Sequence, residues 1–261
     1  TNKAAIIDPV LDYDPNDGTV DTRSVAAMLK EADEAKYVIE WVLETHAHAD
    51  HLSGAPYIKA KTGAKIGIGE HIVTVQETFG KVFNEGTEFQ RDGSQFDRLF
   101  KDGDTYQVGE MTCFAMHTPG HTPACMVHTM GDATFTGDTL FMPDGGSARA
   151  DFPGGDAATL YDSIQKVLAL PDDMRLFMCH DYGPNGRDIQ WETTVGDEKA
   201  NNIHVGAGAS RETFVKLRTE RDATLAVPKL IIPSLQVNMR AGEIPADAAG
   251  NPTLKVPING L

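Results

Sequence analysis

Ala4 to Ile7 is an apolar run that stops at Asp8 and reads as a first strand, and Asp12 to Asp21 reads as a polar turn region. Val25, Met28, Leu29 and Ala32 then fall on one face of a helix for which Thr22 is the expected N-cap. Tyr37 to Leu43, rich in β-branched and aromatic residues, predicts a largely buried strand. Leu52 to Ile58 has the look of a helix start, with Gly63 as its stop. Lys65 to Ile68 predicts a short strand. Ile72 to Phe83 is ambiguous, although Ile72, Val75 and Phe79 suit a helix. Residues 84–110 are polar and punctuated by Gly86, Gly93, Gly103 and Gly109, which predicts loops and short hairpin strands.

The second half repeats one device. Met111 to Met116 leads into His117 to Thr122, Ala133 to Gly137 ends at Asp138, and Arg175 to Cys179 ends at His180. Open sheets place ligands beyond the carboxyl ends of strands, so these ends are expected to converge with the end of the 37–43 strand. Between them Asp156 caps a helix carrying Leu160, Ile164, Val167 and Leu168 on one side, with Pro171 as its stop. Polar helices are expected at Thr193 to Ile203 and Ser210 to Asp222, after which Pro228, Pro233, Pro245, Pro252 and Pro257 break the chain into short extended pieces. The pattern alone gives an α/β or α+β class, and one domain over residues 1–210 with a C-terminal extension, 211–261, packed on it is expected.

The 261 residues suffice for a core without disulfide staples. Their net charge of −15 argues against a nucleic-acid partner, which favours a basic footprint. Three cysteines, Cys113, Cys125 and Cys179, form no disulfide framework. No charged-then-apolar leader and no run of roughly 20 apolar residues is present, so a soluble cytoplasmic protein is expected.

Chemistry concentrates in Thr45-His46-Ala47-His48-Ala49-Asp50-His51. Three imidazoles and a carboxylate at the end of a strand point to a metal site, because clustered donors of this kind are costly unless a cation holds them. His71, His117, His128 and His204 lie outside the motif positions and are expected to be packed or surface residues. Cys113 and Cys125 should behave as small hydrophobes, and alternation points Cys179 away from the metal.

His46, His48, Asp50, His51, His121, Asp138 and His180 together resemble the metallo-β-lactamase superfamily pattern. That resemblance implies an αββα sandwich of two mixed β-sheets flanked by helices. The scaffold hosts many reactions, so smaller motifs have to choose among them. His121-Thr122-Pro123-Ala124-Cys125, Thr136 to Leu140, Ala148 to Phe152, Thr159-Leu160-Tyr161, His180-Asp181-Tyr182 and the Leu230 to Arg240 tail resemble the persulfide dioxygenase (sulfur dioxygenase) family, in its bacterial β-lactamase-like hydrolase branch. The family typically has Gly where this chain has Ala124, and glycine-cysteine-glycine-arginine where it has Gly146 to Arg149.

The resemblance implies one Fe(II) per chain, held by His46, His121 and Asp138. The reaction would be metal-centred, with no side-chain nucleophile: glutathione persulfide or a related thiol persulfide plus O₂ gives sulfite and free thiol. Two histidines and one carboxylate on an octahedral face suit such chemistry. His48, Asp50, His51 and His180 would then orient ligands, or hold a second metal in the alternative, a two-zinc hydrolase of the glyoxalase II or lactonase type. Arg149 is expected to contact the substrate or pair with Asp151. Tyr182 is expected to contact the thiol or be buried, and Arg187 to be solvated. The expected partners are small molecules, with no membrane and a homodimer as a candidate assembly.

Overall fold

In the computed structural model, which describes residues 2–260, the first apolar run forms β1 (Lys3–Ile7). The stretch expected as a polar turn is instead a hairpin, β2 (Val10–Asp14) and β3 (Thr19–Asp21). Its strands are too polar to be read from sequence because only Leu11 is buried in them. Next comes α1 (Arg23–Glu34). Thr22 occupies the N-cap position but makes no capping bond. Asp12 on β2 performs that task, accepting from Ser24 N at 2.9 Å and Ser24 Oγ at 2.8 Å.

The expected buried strand is β4 (Val38–Leu43), with Tyr37 exposed just outside it. Leu52 and Ser53 form β5 (Leu52–Ser53), not the start of a helix; they pair with β2, and α2 (Ala55–Thr62) follows, ended by Gly63 as predicted. The ambiguous segment is helical: after β6 (Lys65–Gly69) comes α3 (Ile72–Val82), burying Ile72, Val75 and Phe79, and then β7 (Arg98–Phe100). β1, β4, β6 and β7 form a four-stranded sheet in the order β1-β4-β6-β7, parallel throughout. β2, β3 and β5 form a separate antiparallel sheet.

These elements belong to one of two compact units. The first runs to Phe100, takes in Val108–Glu110 and resumes at Val227; the second comprises Lys101–Gln107 and Met111–Ala226. The expected C-terminal extension is thus shared between the two.

The second unit centres on a six-stranded sheet built from β8 (Thr105–Val108), β9 (Met111–His117), β10 (Met126–Met130), β11 (Ala133–Phe135), β12 (Arg175–Phe177) and β13 (Glu192–Thr194). β10 pairs antiparallel with both β9 and β11, and β11 runs parallel to β12, so β9, β11 and β12 all point the same way. Their carboxyl ends, which precede His121, Asp138 and His180, therefore share one edge, as the repeated device predicts. Among the described residues there are three sheets, and only this one is mixed.

α4 (Ala157–Leu168) is capped by Asp156, which accepts from Thr159 N at 2.7 Å. Its Leu160, Ile164, Val167 and Leu168 enter a core with Val127, Leu140, Leu176 and Phe214. Each such side chain contributes about 1.5–3 kcal/mol by leaving water. The helix expected at 193–203 is shorter, α5 (Val195–Asn201), because its first residues belong to β13. The helix expected at 210–222 is α6 (Arg211–Asp222), with Ser210 as its cap.

Back in the first unit, α7 (Ile231–Asn238) replaces the extended pieces expected among the prolines. Pro233 lies in its first turn, where a helix needs no N–H donor, so the ring is tolerated. Val237 on α7 packs with Leu11 and Leu52. Among the described residues no helix is long and apolar enough to cross a membrane.

Candidate metal centre

The first unit brings the histidine run to the carboxyl edge of its parallel sheet. β1 and β4 pair in register through Ile7 and Leu43, so Asp8 and Glu44 leave adjacent strands side by side. Sequence reading missed Asp8, whose backbone takes a left-handed conformation with φ +49°. Its Oδ1 accepts from Thr45 N at 2.7 Å and its Oδ2 from Thr45 Oγ1 at 2.8 Å. The Thr45 hydroxyl has one hydrogen, given to Asp8, so at its 3.0 Å contact with His46 Nδ1 it must accept. His46 is thereby held as the Nδ1–H tautomer, with the lone pair on Nε2, the form a metal needs.

His48 Nε2 lies 2.9 Å from Asp8 Oδ1, short but poorly aligned for a hydrogen bond, and 3.6 Å from Glu44 Oε2. Burial alone would raise the Asp8 carboxyl, but the charge of His48, with the hydrogen bonds from Thr45, outweighs it and holds Asp8 below the usual carboxylate range. Burial pushes Glu44 up to about 7, and nearby Asp8 adds to that. For His48 burial favours the neutral ring, yet Asp8, Glu44 and Asp50 together raise its pKa. His51 is lowered by burial and by His48. His48, Asp50 and His51 each offer a ligand atom within 4.8 Å of the others, as do Asp8, Glu44 and His48. His48 Nδ1 and His51 Nε2 are buried with no hydrogen-bond partner, as expected of atoms meant for a cation.

In the second unit Gly120 makes the turn into His121. Its φ is +133°, and a Cβ there would meet the backbone N and Cα of Leu160 at 2.3 Å, so only glycine fits. His121 Nδ1 donates to Arg149 O at 2.8 Å, which puts the lone pair on Nε2, 3.5 Å from Asp138 Oδ2. His180 Nε2 lies 3.6 Å from Asp138 Oδ1. Asp138 is thus flanked by two imidazoles, a donor set fit for a transition metal.

Arg149 lies near this group through its carbonyl. Its guanidinium is engaged bidentately by Asp151 at 2.5 and 2.7 Å and by Ala226 O at 2.8 Å, the salt bridge weighed against a substrate contact. Tyr182 is 74% exposed, which removes the buried reading, and its ring stacks on His180 with centroids 6.1 Å apart beside Phe141. Arg187 is not a solvated arginine. It bridges Asp144 and Asp181 with bonds of 2.5–2.8 Å, and its hydrogen bonds hold Asp181 down at about 2. A lone Arg in a Gly-Pro-Asn-Gly loop gave no sign of those partners.

The remaining histidines are packed or exposed as expected. His128 meets Tyr106 Oη at 3.0 Å, His117 Nε2 donates to Pro123 O, and His71 is exposed. His204 Nδ1 accepts from Ser147 N at 3.0 Å; burial and the charges of Arg218 and Arg221 push its pKa down to about 4. Cys113 and Cys125 are buried and Cys179 is exposed.

The model of the metallo-beta-lactamase superfamily matches residues 1–180. A probable metallo-hydrolase of Burkholderia pseudomallei is 52% identical over the whole chain, which covers 92% of that protein. A beta-lactamase hydrolase-like protein of Xylella fastidiosa is 48% identical, and the chain spans 60% of its length. The human mitochondrial persulfide dioxygenase ETHE1 is 29% identical over 93% of the chain and 80% of that protein. Among solved structures, ETHE1 from Myxococcus xanthus matches 93% of the chain and 90% of its own, with 30% identity and a TM-score of 0.72.

Proposed function

Because the chain belongs to the metallo-β-lactamase superfamily, we propose that it is a mononuclear non-haem iron persulfide dioxygenase, converting glutathione persulfide or a related thiol persulfide and O₂ to sulfite and free thiol. The likeness to ETHE1, at 30% identity and a TM-score of 0.72 for the Myxococcus xanthus structure, supports this reading. The superfamily model stops at residue 180, whereas the likeness to ETHE1 leaves only 7% of 261 residues, about 18, uncovered. It therefore includes most of the segment beyond residue 180, a part outside the general metal-binding core.

In this reading His46, His121 and Asp138 hold one Fe(II). Bound there, ferrous iron supplies the O₂ and one-electron chemistry that side chains lack. Asp8, through Thr45, and the carbonyl of Arg149 fix the two imidazoles with Nε2 lone pairs, so the ligands are preorganised. The reaction consumes one persulfide, one O₂ and one water, and yields thiol, sulfite and two protons. His180 Nε2, beside Asp138 Oδ1, is placed to take one of those protons. The exposed ring of Tyr182, set against buried Phe141, gives the thiol carrier an aromatic face to lie on.

A second reading has its own support. The buried, unpartnered His48 Nδ1 and His51 Nε2 would suit a further cation, and the relatives named as hydrolases fit a two-zinc centre that cleaves a thioester or lactone. Oxygen uptake by the Fe(II)-loaded protein with glutathione persulfide separates the two. Uptake with sulfite release, abolished in His121→Ala, is the expected result. No uptake with that or other persulfides, together with thioester or lactone hydrolysis by a two-zinc form, would replace the dioxygenase reading.

A further inference from the structure

The histidine loop is tied to a residue about 190 positions further along the chain. Asn238, the last residue of α7, is 4% exposed. Its Nδ2 donates to His48 O at 2.9 Å and to His51 O at 2.8 Å, and its Oδ1 accepts from Ser53 N at 2.8 Å. Both amide hydrogens and the oxygen are used, so the orientation of the amide is determined and three backbone groups of the 48–53 turn are satisfied by one side chain.

The segment that carries Asn238 is itself anchored. Gln76 Nε2 donates to Met239 O at 2.9 Å, and Arg240 pairs with Glu85 at 2.9 Å while lying over the Phe89 ring. Gly242, at φ +90°, sits so close to the loop that a Cβ would come within 2.5 Å of Pro56 Cδ and 3.0 Å of Ser53 O. A rigid C-terminal brace therefore meets the loop at the point where the Asn238 amide enters it.

We propose that Asn238 is a positioning residue for the metal loop: it locks the backbone from His48 to Ser53, so that the loop donors reach a metal without first being ordered. This rests on the reading of His48, Asp50 and His51 as donors to a metal. Without the amide, two buried carbonyls and one N–H must find water, and the turn samples other conformations that metal binding has to suppress. Outer partners of metal ligands typically change affinity about 10–100-fold when removed, which sets the expected effect.

The test compares wild type, Asn238→Leu, Asn238→Ser and Gln76→Leu. Metal-free proteins are titrated with Zn(II) and Co(II) against a competing chelator, with Co(II) absorption spectra and melting curves recorded alongside. Gln76→Leu removes a buried amide from the same brace whose hydrogen bonds reach no atom of the loop. The expected result is metal binding weakened about 10–100-fold, with an altered Co(II) spectrum, in both Asn238 variants. Gln76→Leu should melt lower and keep wild-type affinity. If Asn238→Leu does not fold, Asn238→Ser carries the comparison. Wild-type affinity and spectrum in the Asn238 variants, or an equal loss in Gln76→Leu, would overturn the proposal. A wild type that takes up no metal would instead remove the metal-loop reading beneath it, a failure visible before any variant is compared.

Discussion

Replacing Glu198 by Gln should change how stability depends on pH. Glu198 on α5 is fully buried; its Oε2 accepts from Asn202 Nδ2 at 2.6 Å, and its Oε1 has no hydrogen-bond partner. Burial is the main reason its pKa is pushed up to about 8 from 4.5, and the charges of Asp197 and Asp144 add to it. The folded state therefore binds more protons than the unfolded state between those values. The contribution of the protonated carboxyl is complete below pH 4.5, shrinks as pH rises and is gone above pH 8. A shift of 3.5 units at about 1.4 kcal/mol each sets a ceiling of about 5 kcal/mol, a large part of the roughly 5–15 kcal/mol that holds a domain together. Gln cannot ionise, but its amide hydrogens would take the place of the unpartnered Oε1 and cost about 1–3 kcal/mol. Urea midpoints should then show the variant slightly less stable at pH 5 and clearly more stable at pH 9. Curves separated by a constant amount from pH 5 to 9 would refute a neutral, buried Glu198.

Gly120→Ala combines a left-handed backbone with a clash against α4 and should cost about 3–5 kcal/mol, read as a fall in melting temperature of about 10 °C; an unchanged melt would contradict the contact. Arg218→Met leaves the carboxylate of Asp222 buried beside Ala150 N and the Ser147 carbonyl without its donor, for a loss of about 3–5 kcal/mol in denaturant titrations. Asp8→Asn exchanges an acceptor for a donor at Thr45, which frees Thr45 to donate to His46 Nδ1 and moves the ring proton to Nε2. Chelator competition should show metal affinity lowered about 10–100-fold, and ¹⁵N spectra of the metal-free protein should show the changed tautomer.

The candidate donors could be read from sequence because each is announced locally. His46, His48, Asp50 and His51 share one turn after an apolar strand, and Asp138 and His180 directly follow the apolar runs that become β11 and β12. α4 was equally plain, since its cap and its apolar stripe are both in its own residues. The hairpin at 10–21 hid because a strand with one buried position has no alternation to show, and β10 hid because His128 and Thr129 interrupt its apolar run. α7 hid behind Pro233, which counts against a helix until the position of the helix start is known.

What sequence left out was how the donors are held, and the reason is distance along the chain. Asp8 acts on Thr45 from 37 positions away, Arg149 O on His121 from 28, and Asn238 on His48 from 190. None of these partners belongs to the seven-residue motif, and an isolated Asp, a backbone carbonyl or an Asn carries no motif of its own. Yet they decide which imidazole nitrogen keeps its lone pair and whether the loop is ordered before a cation arrives. A sequence with the same seven donors but a different residue at position 8 would look identical by motif, and by this reasoning would present His46 in the other tautomer and bind metal poorly. The identity of the donors therefore specifies that a metal can bind, while the remote acceptors and the C-terminal amide set how readily it does.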